Sequence, residues 1–182
     1  MEGRALTKEN RVQADPCRTP GRESGPSGLS RVREAASKDG KLRFTALLHH
    51  VNKEQLRASY HSLKKGAAPG VDGVTWEEYG SELEARISDL LERIHSGAYR
   101  AQPSRRVWIP KPDGRQRPLG IAALEDKIVQ HAVGKVLNQI WEEDFLGFSY
   151  GFRPGRSQHD ALDALYVGNT QRKMNWVLDL DI

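Results

Sequence analysis

Phe145-Leu-Gly-Phe-Ser-Tyr-Gly-Phe-Arg-Pro-Gly-Arg-Ser-Gln-His-Asp160 is the stretch on which the reading of this chain turns. Gly147, Gly151 and Gly155 let the backbone come close to a ligand. Phe148, Tyr150 and Phe152 offer faces for a sugar or a base. Arg153 and Arg156 precede a helix start, whose free amides favour phosphate. Ser157 with Asp160 predicts a capping box and a helix through Leu165. The plainer reading is a loop anchored on the core, with at least one aromatic buried and the arginines exposed.

Immediately upstream, Ile128, Val129, Ala132, Val133, Val136, Leu137, Ile140 and Trp141 repeat at helical spacing and predict a long helix from Leu124 to Phe145. Before it, residues 99–121 look extended, and Lys111-Pro-Asp-Gly-Arg115 is a turn signal between two strands. Residues 100–117 hold six Lys or Arg and one Asp, a local balance of +5, whereas residues 118–182 balance to −3. A tight hairpin with cations on both arms can close over a polyphosphate, Lys as a point charge and Arg as a planar fork. A solvated, unevenly charged surface would look similar.

Downstream, Asn175–Ile182 reads as a strand. Alternation places Asp179 and Asp181 on one face, with Leu178, Leu180 and Ile182 on the other. Two neighbouring carboxylates at a strand end suit a divalent cation and phosphoryl transfer. A strand simply reaching solvent would carry the same residues.

Further from the key stretch, Phe44, Leu47, Leu48 and Val51 follow helical spacing. Asn52 with Gln55 predicts a cap for a short helix bearing Leu56, Tyr60 and Leu63. Gly66–Gly73 breaks it, and Thr75 with Glu78 caps the next helical region. There Leu83, Ile87, Leu90, Leu91 and Ile94 form one stripe that Gly97 ends. Residues 1–43 are expected to be a disordered tail, since few large apolar residues stand there to offset the entropy of ordering. No internal repeat is visible. No apolar run could span a bilayer, and Cys17, the one cysteine of 182 residues, excludes an internal disulfide. These features favour a reducing, intracellular setting without a membrane. The overall net charge of +4 is a weak hint of anionic partners.

Each signal is ambiguous alone, but their order is not. A basic IPKPDGRQRPLGI, a helix opening Glu125-Asp-Lys-Ile-Val-Gln130, SYGFRPGRSQHDAL and a strand ending Asp181-Ile182 closely resemble the reverse transcriptases of group II introns, which also act as maturases. The likeness covers about residues 44–182, and GAAPGVDGVT at 66–75 also resembles that family's region ahead of the fingers.

The resemblance implies an α+β chain: a helical region over 44–98, then fingers with a basic β-hairpin and the first palm strand over 99–182. It implies an RNA-directed DNA polymerase using Mg²⁺, with intron RNA template, DNA primer and deoxynucleotide triphosphates as partners, in a bacterial cytoplasm or an organelle. By position, Asp181 matches a catalytic, metal-binding aspartate. Lys111, Arg117 and Ile182 match nucleotide-binding residues. Arg105, Arg106, Arg153 and Arg156 are expected to bind template and primer. The family's palm continues past such a strand to a Tyr-Ala-Asp-Asp hairpin with further aspartates, so the 182 residues by themselves are expected to be catalytically incomplete. An RNA-binding splicing cofactor without polymerase chemistry is the alternative. A metal nuclease built on Asp179 and Asp181 is a weaker third, because no further acidic cluster sits in a suitable strand.

Overall fold

The computed structural model describes residues 28–171 together with Trp176, Leu178 and Leu180. In chain order the elements are α1 (Gly28–Lys38), a 3₁₀ turn (Leu48–His50), α2 (Lys53–Ser62), α3 (Trp76–Ser81) and α4 (Leu83–His95). Next come β1 (Arg105–Pro110), β2 (Gln116–Ile121), α5 (Leu124–Asp144) and α6 (Gln158–Gln171). Among the described residues, helices with one two-stranded antiparallel sheet make an α+β arrangement, as expected.

The core forms around α5. Leu124, Ile128, Ala132 and Val136 recur every four residues, so they share one face and are buried together. Val51, Leu56 and Tyr60 from the α2 region, Tyr79 from α3, and Ile87 and Leu90 from α4 complete the cluster. Full burial of a side chain such as Ile128 contributes about 1.5–3 kcal/mol. The core therefore joins residues on both sides of position 98, and the helices before the hairpin share a body with the helix after it.

Local chemistry sets the helix starts where the sequence places them. The Asn52 side chain accepts from the Gln55 amide at 2.9 Å. Thr75 and Glu78 form a reciprocal capping box, the Glu78 carboxylate accepting from the Thr75 amide at 2.8 Å. Tyr60 stacks on Trp76 at 4.5 Å and donates its hydroxyl to the Trp76 carbonyl, while the Trp76 indole donates to the Tyr60 carbonyl.

The expectation of an unpacked tail over 1–43 is corrected for residues 28–38. They form α1, which docks on α5 with Val32 and Ala36 buried and Arg33 paired to Glu143 at 2.6 Å. Leu29, Val32 and Ala36 make a narrow stripe, short of a core of its own but sufficient against a ready-made helix face. Residues 1–27 lie outside the described residues. Around Phe44–Val51 the expected helix is only the 3₁₀ turn, and α6 runs six residues beyond Leu165. The expected strand 175–182 lies outside the described residues, except that Trp176, Leu178 and Leu180 are exposed.

Candidate nucleic-acid interface

The basic hairpin is as the sequence predicts. Lys111 and Arg115 close the turn, the Lys111 amide donating to the Arg115 carbonyl at 2.7 Å. Gly114 takes φ +80°, a conformation in which a Cβ would be strained. The register pairs Arg105 with Ile121, Arg106 with Gly120, Val107 with Leu119, Trp108 with Pro118 and Ile109 with Arg117.

Directly opposed residues share a face. Arg105 and Arg117 therefore lie on one face with Val107, Ile109 and Leu119, separated by about 13 Å along the strand. Arg106 lies on the other face with Trp108 and Pro118. The structure thus places Arg105 and Arg117 on one face and Arg106 on the other, although Arg105 and Arg106 adjoin in sequence. Among the described residues, the side chains of Arg105, Arg106, Lys111 and Arg117 have no ion pair or hydrogen bond. Arg115 differs: its guanidinium pairs with Asp113 at 2.6 Å and holds that carboxyl below its ordinary range.

The 145–156 loop inverts the sequence expectation. Arg153, expected to be exposed and to bind template or primer, is buried. Its guanidinium donates to both Glu142 oxygens, at 3.0 Å for the closest contact, and to the Leu146 and Ser149 carbonyls at 3.1 and 3.0 Å. It also stacks over Phe145 at 4.9 Å. A planar fork of five donors suits a loop whose carbonyls converge, so Arg153 builds the loop and leaves no fork free for a phosphate.

None of the loop's aromatics is buried. Phe148 is 74% exposed, and Phe152, with φ +57°, is fully exposed. Arg156 stacks on Tyr150 at 5.2 Å and donates to the Gly147 carbonyl, so it is half-buried and only partly available. The predicted Ser157–Asp160 capping box is present, with the Ser157 amide donating to Asp160 at 2.7 Å. It holds the Asp160 carboxyl below its ordinary value. Along α6, Leu162, Leu165, Tyr166 and Val167 are exposed.

Two carboxylates that sequence reasoning left inside a helix start hold a polar network at the hairpin's base. Glu125 accepts from Arg93 at 2.8 Å and from the Tyr79 hydroxyl at 3.3 Å. Asp126, itself buried, accepts from the Tyr99 hydroxyl and from the Gln102 amide. Burial and the adjoining carboxylates push both phenols up, so each remains a donor at neutral pH. The signal was there to read: two acids opening an apolar helix directly after an exposed strand.

Residues 109–182 match the family of reverse transcriptases, RNA-dependent DNA polymerases. That span is similar to reverse transcriptases. Several of the similar proteins are intron-encoded by name. The group II intron-encoded protein LtrA of Lactococcus lactis subsp. cremoris is 32% identical over 124 residues, covering 67% of this chain and 21% of LtrA. Protein YkfC of Escherichia coli is 39% identical over 154 residues, covering 81% of this chain and 40% of that protein. A putative COX1/OXI3 intron 1 protein of Saccharomyces cerevisiae is 29% identical over 131 residues, 72% of this chain and 16% of that protein. The chain spans less than half the length of these relatives, and its resemblance to group II intron reverse transcriptases holds on sequence well beyond the quoted motifs.

Among the described residues, no three His, Cys, Asp or Glu side chains are grouped to hold a metal ion, and no helix is long and apolar enough to cross a membrane. Asp179, Asp181 and Ile182 lie outside the described residues.

Proposed function

We propose that this reverse transcriptase segment is the gripping half of an RNA-directed DNA polymerase of the group II intron kind, with β1 and β2 as its fingers hairpin. The observation that carries the reading is the hairpin itself: four cations with no partner among the described residues, on an exposed ribbon within and just before the span that matches the family. Exposed cations clustered at one place and not engaged by the described part of the fold are available for phosphate.

In this reading Lys111 and Arg117 neutralise the phosphates of an incoming deoxynucleotide triphosphate. Arg105, sharing Arg117's face, and Arg106 on the opposite face contact the nucleic-acid backbone, with Arg156 contributing from the neighbouring loop. Ile182 lies beside the nucleotide. Asp181 is the catalytic aspartate that would hold Mg²⁺, the ion that supplies charge stabilisation for phosphoryl transfer. RNA template and DNA primer are the partners, in a bacterial or organellar setting like that of the relatives, which come from bacteria and from mitochondria.

Two measurements test this. Single-stranded RNA binding should weaken as salt rises, and Arg105→Ala/Arg106→Ala/Lys111→Ala should flatten the salt slope by roughly 2, since each lost phosphate contact removes about 0.7. An unchanged slope makes the hairpin a solubilising surface. In a protein that carries this sequence at the full length of the relatives, Asp181→Asn should abolish primer extension and leave RNA affinity within about twofold. Retained RNA binding with no extension even in the unmodified full-length protein would favour a splicing cofactor without polymerase chemistry.

A further inference from the structure

The hairpin's strands pair with each other, and among the described residues no helix packs broadly on either one. Its direction is therefore set at its two roots. On the entry side, α4 ends and the Tyr99 amide donates to the Arg93 carbonyl at 2.8 Å. Tyr99 and Gln102 then both donate to the buried carboxylate of Asp126, the latter at 3.0 Å. On the exit side, Ala123 is fully buried, and it abuts Gly70 so closely that a Cβ there would lie 2.4 Å from the Ala123 Cα. Lys127 donates to the Ala68 carbonyl at 3.0 Å, fixing the same loop to the first turn of α5.

Asp126 belongs to the helix that continues the exit strand, yet both of its hydrogen bonds go to the entry strand's lead-in. One carboxylate therefore ties the two legs of the hairpin together at the point where they leave the core. A buried acceptor that lost these partners would be left unsatisfied, so the arrangement resists opening.

We infer that Asp126 and Tyr99 are positioning residues that fix the angle at which the basic hairpin leaves the helical body, so that its cations meet phosphate without first being ordered. The phosphate half of this inference rests on the functional reading above; the hinge half does not. A hairpin held in place binds with a smaller ordering cost than one that swings. Loosening the root should therefore lower affinity while leaving the number of phosphate contacts, and hence the salt slope, unchanged.

The test uses Asp126→Ala, Asp126→Asn and Tyr99→Phe in the intact chain, with two readouts. Hydrogen exchange of residues 104–122 reports the hairpin, and exchange in α2, α4 and α5 reports the core. Binding of a single-stranded RNA oligonucleotide at several salt concentrations reports the grip. Tyr99→Phe should speed hairpin exchange about fivefold and Asp126→Ala about tenfold, with core protection retained. RNA affinity should fall by similar factors at an unaltered slope. Asp126→Asn should recover most of both, because its oxygen can accept from the Gln102 amide while its NH₂ donates to the Tyr99 oxygen. Hairpin exchange that matches the unmodified chain, or that rises only together with the core, overturns the inference. Should Asp126→Ala fail to fold, Tyr99→Phe decides. If the unmodified chain binds no RNA, the functional reading falls and the exchange arm alone decides the hinge.

Discussion

The hairpin and the 145–156 loop both set arginines near aromatic side chains, and they use the arginines in opposite ways. In the hairpin, Arg105, Arg106 and Arg117 face water and have no partner among the described residues. In the loop, Arg153 turns inward onto Glu142 and two carbonyls, while Phe148 and Phe152 face out. The difference lies in the backbone around each. A ladder satisfies the hairpin's own amides and carbonyls, so its side chains have no internal work. The loop leaves the Leu146 and Ser149 carbonyls without a ladder, and an arginine fork is the side chain best suited to collect them.

The largest test of this contrast is stability. Arg153→Ala strands the partly buried Glu142 and the Ser149 carbonyl, while the Leu146 carbonyl keeps the Ser149 amide, and should cost about 3 kcal/mol in chemical unfolding. Arg117→Ala should stay within about 0.5 kcal/mol, because among the described residues that exposed side chain has no partner. Equal costs would erase the distinction between a building arginine and a gripping one.

A smaller effect is expected at Phe152. The residue is fully exposed, so it loses little packing on truncation, yet its φ of +57° is one that a side chain with a Cβ rarely adopts. Phe152→Gly should therefore raise stability by about 0.5–1 kcal/mol. If the ring offers a stacking face, the same change should weaken RNA binding, separating the loop's outward role from its inward one.

The smallest effects are in titration. Arg115 lowers Asp113 in the hairpin, and Ser157 lowers Asp160 after the loop. A folded value below the unfolded one means that the stabilisation is present above the ordinary carboxylate range and is lost as pH falls through the lowered value. Arg115→Ala should return Asp113 towards its ordinary midpoint in a carboxyl NMR titration and leave Asp160 unmoved. Ser157→Ala should do the reverse and fray the start of α6. A shift of both carboxyls by either substitution would mean that the two regions are coupled.

Sequence reading reached furthest where structure is local. The capping boxes at Thr75–Glu78 and Ser157–Asp160, the turn at Lys111–Arg115 and the helical periodicity from Ile128 to Trp141, of which Ile128, Ala132 and Val136 are buried and Trp141 is exposed, depend on spacings of a few residues. The α1 helix was missed because its apolar stripe is too small to announce a core and becomes sufficient only against α5.

By itself, then, the sequence determined the hairpin, the helix starts, the α5 face and the likeness to reverse transcriptases, because periodicity, cap chemistry and motif order are properties of neighbours along the chain. Only the tertiary structure decided that Arg153 builds the loop and that Asp126 closes the hairpin's base. The last of these is set by groups 24 and 27 residues away in sequence, and the first by a carboxylate 11 residues away. A polar side chain in a fold takes whichever partners arrive within hydrogen-bonding distance after water is excluded, and that choice is written in three dimensions.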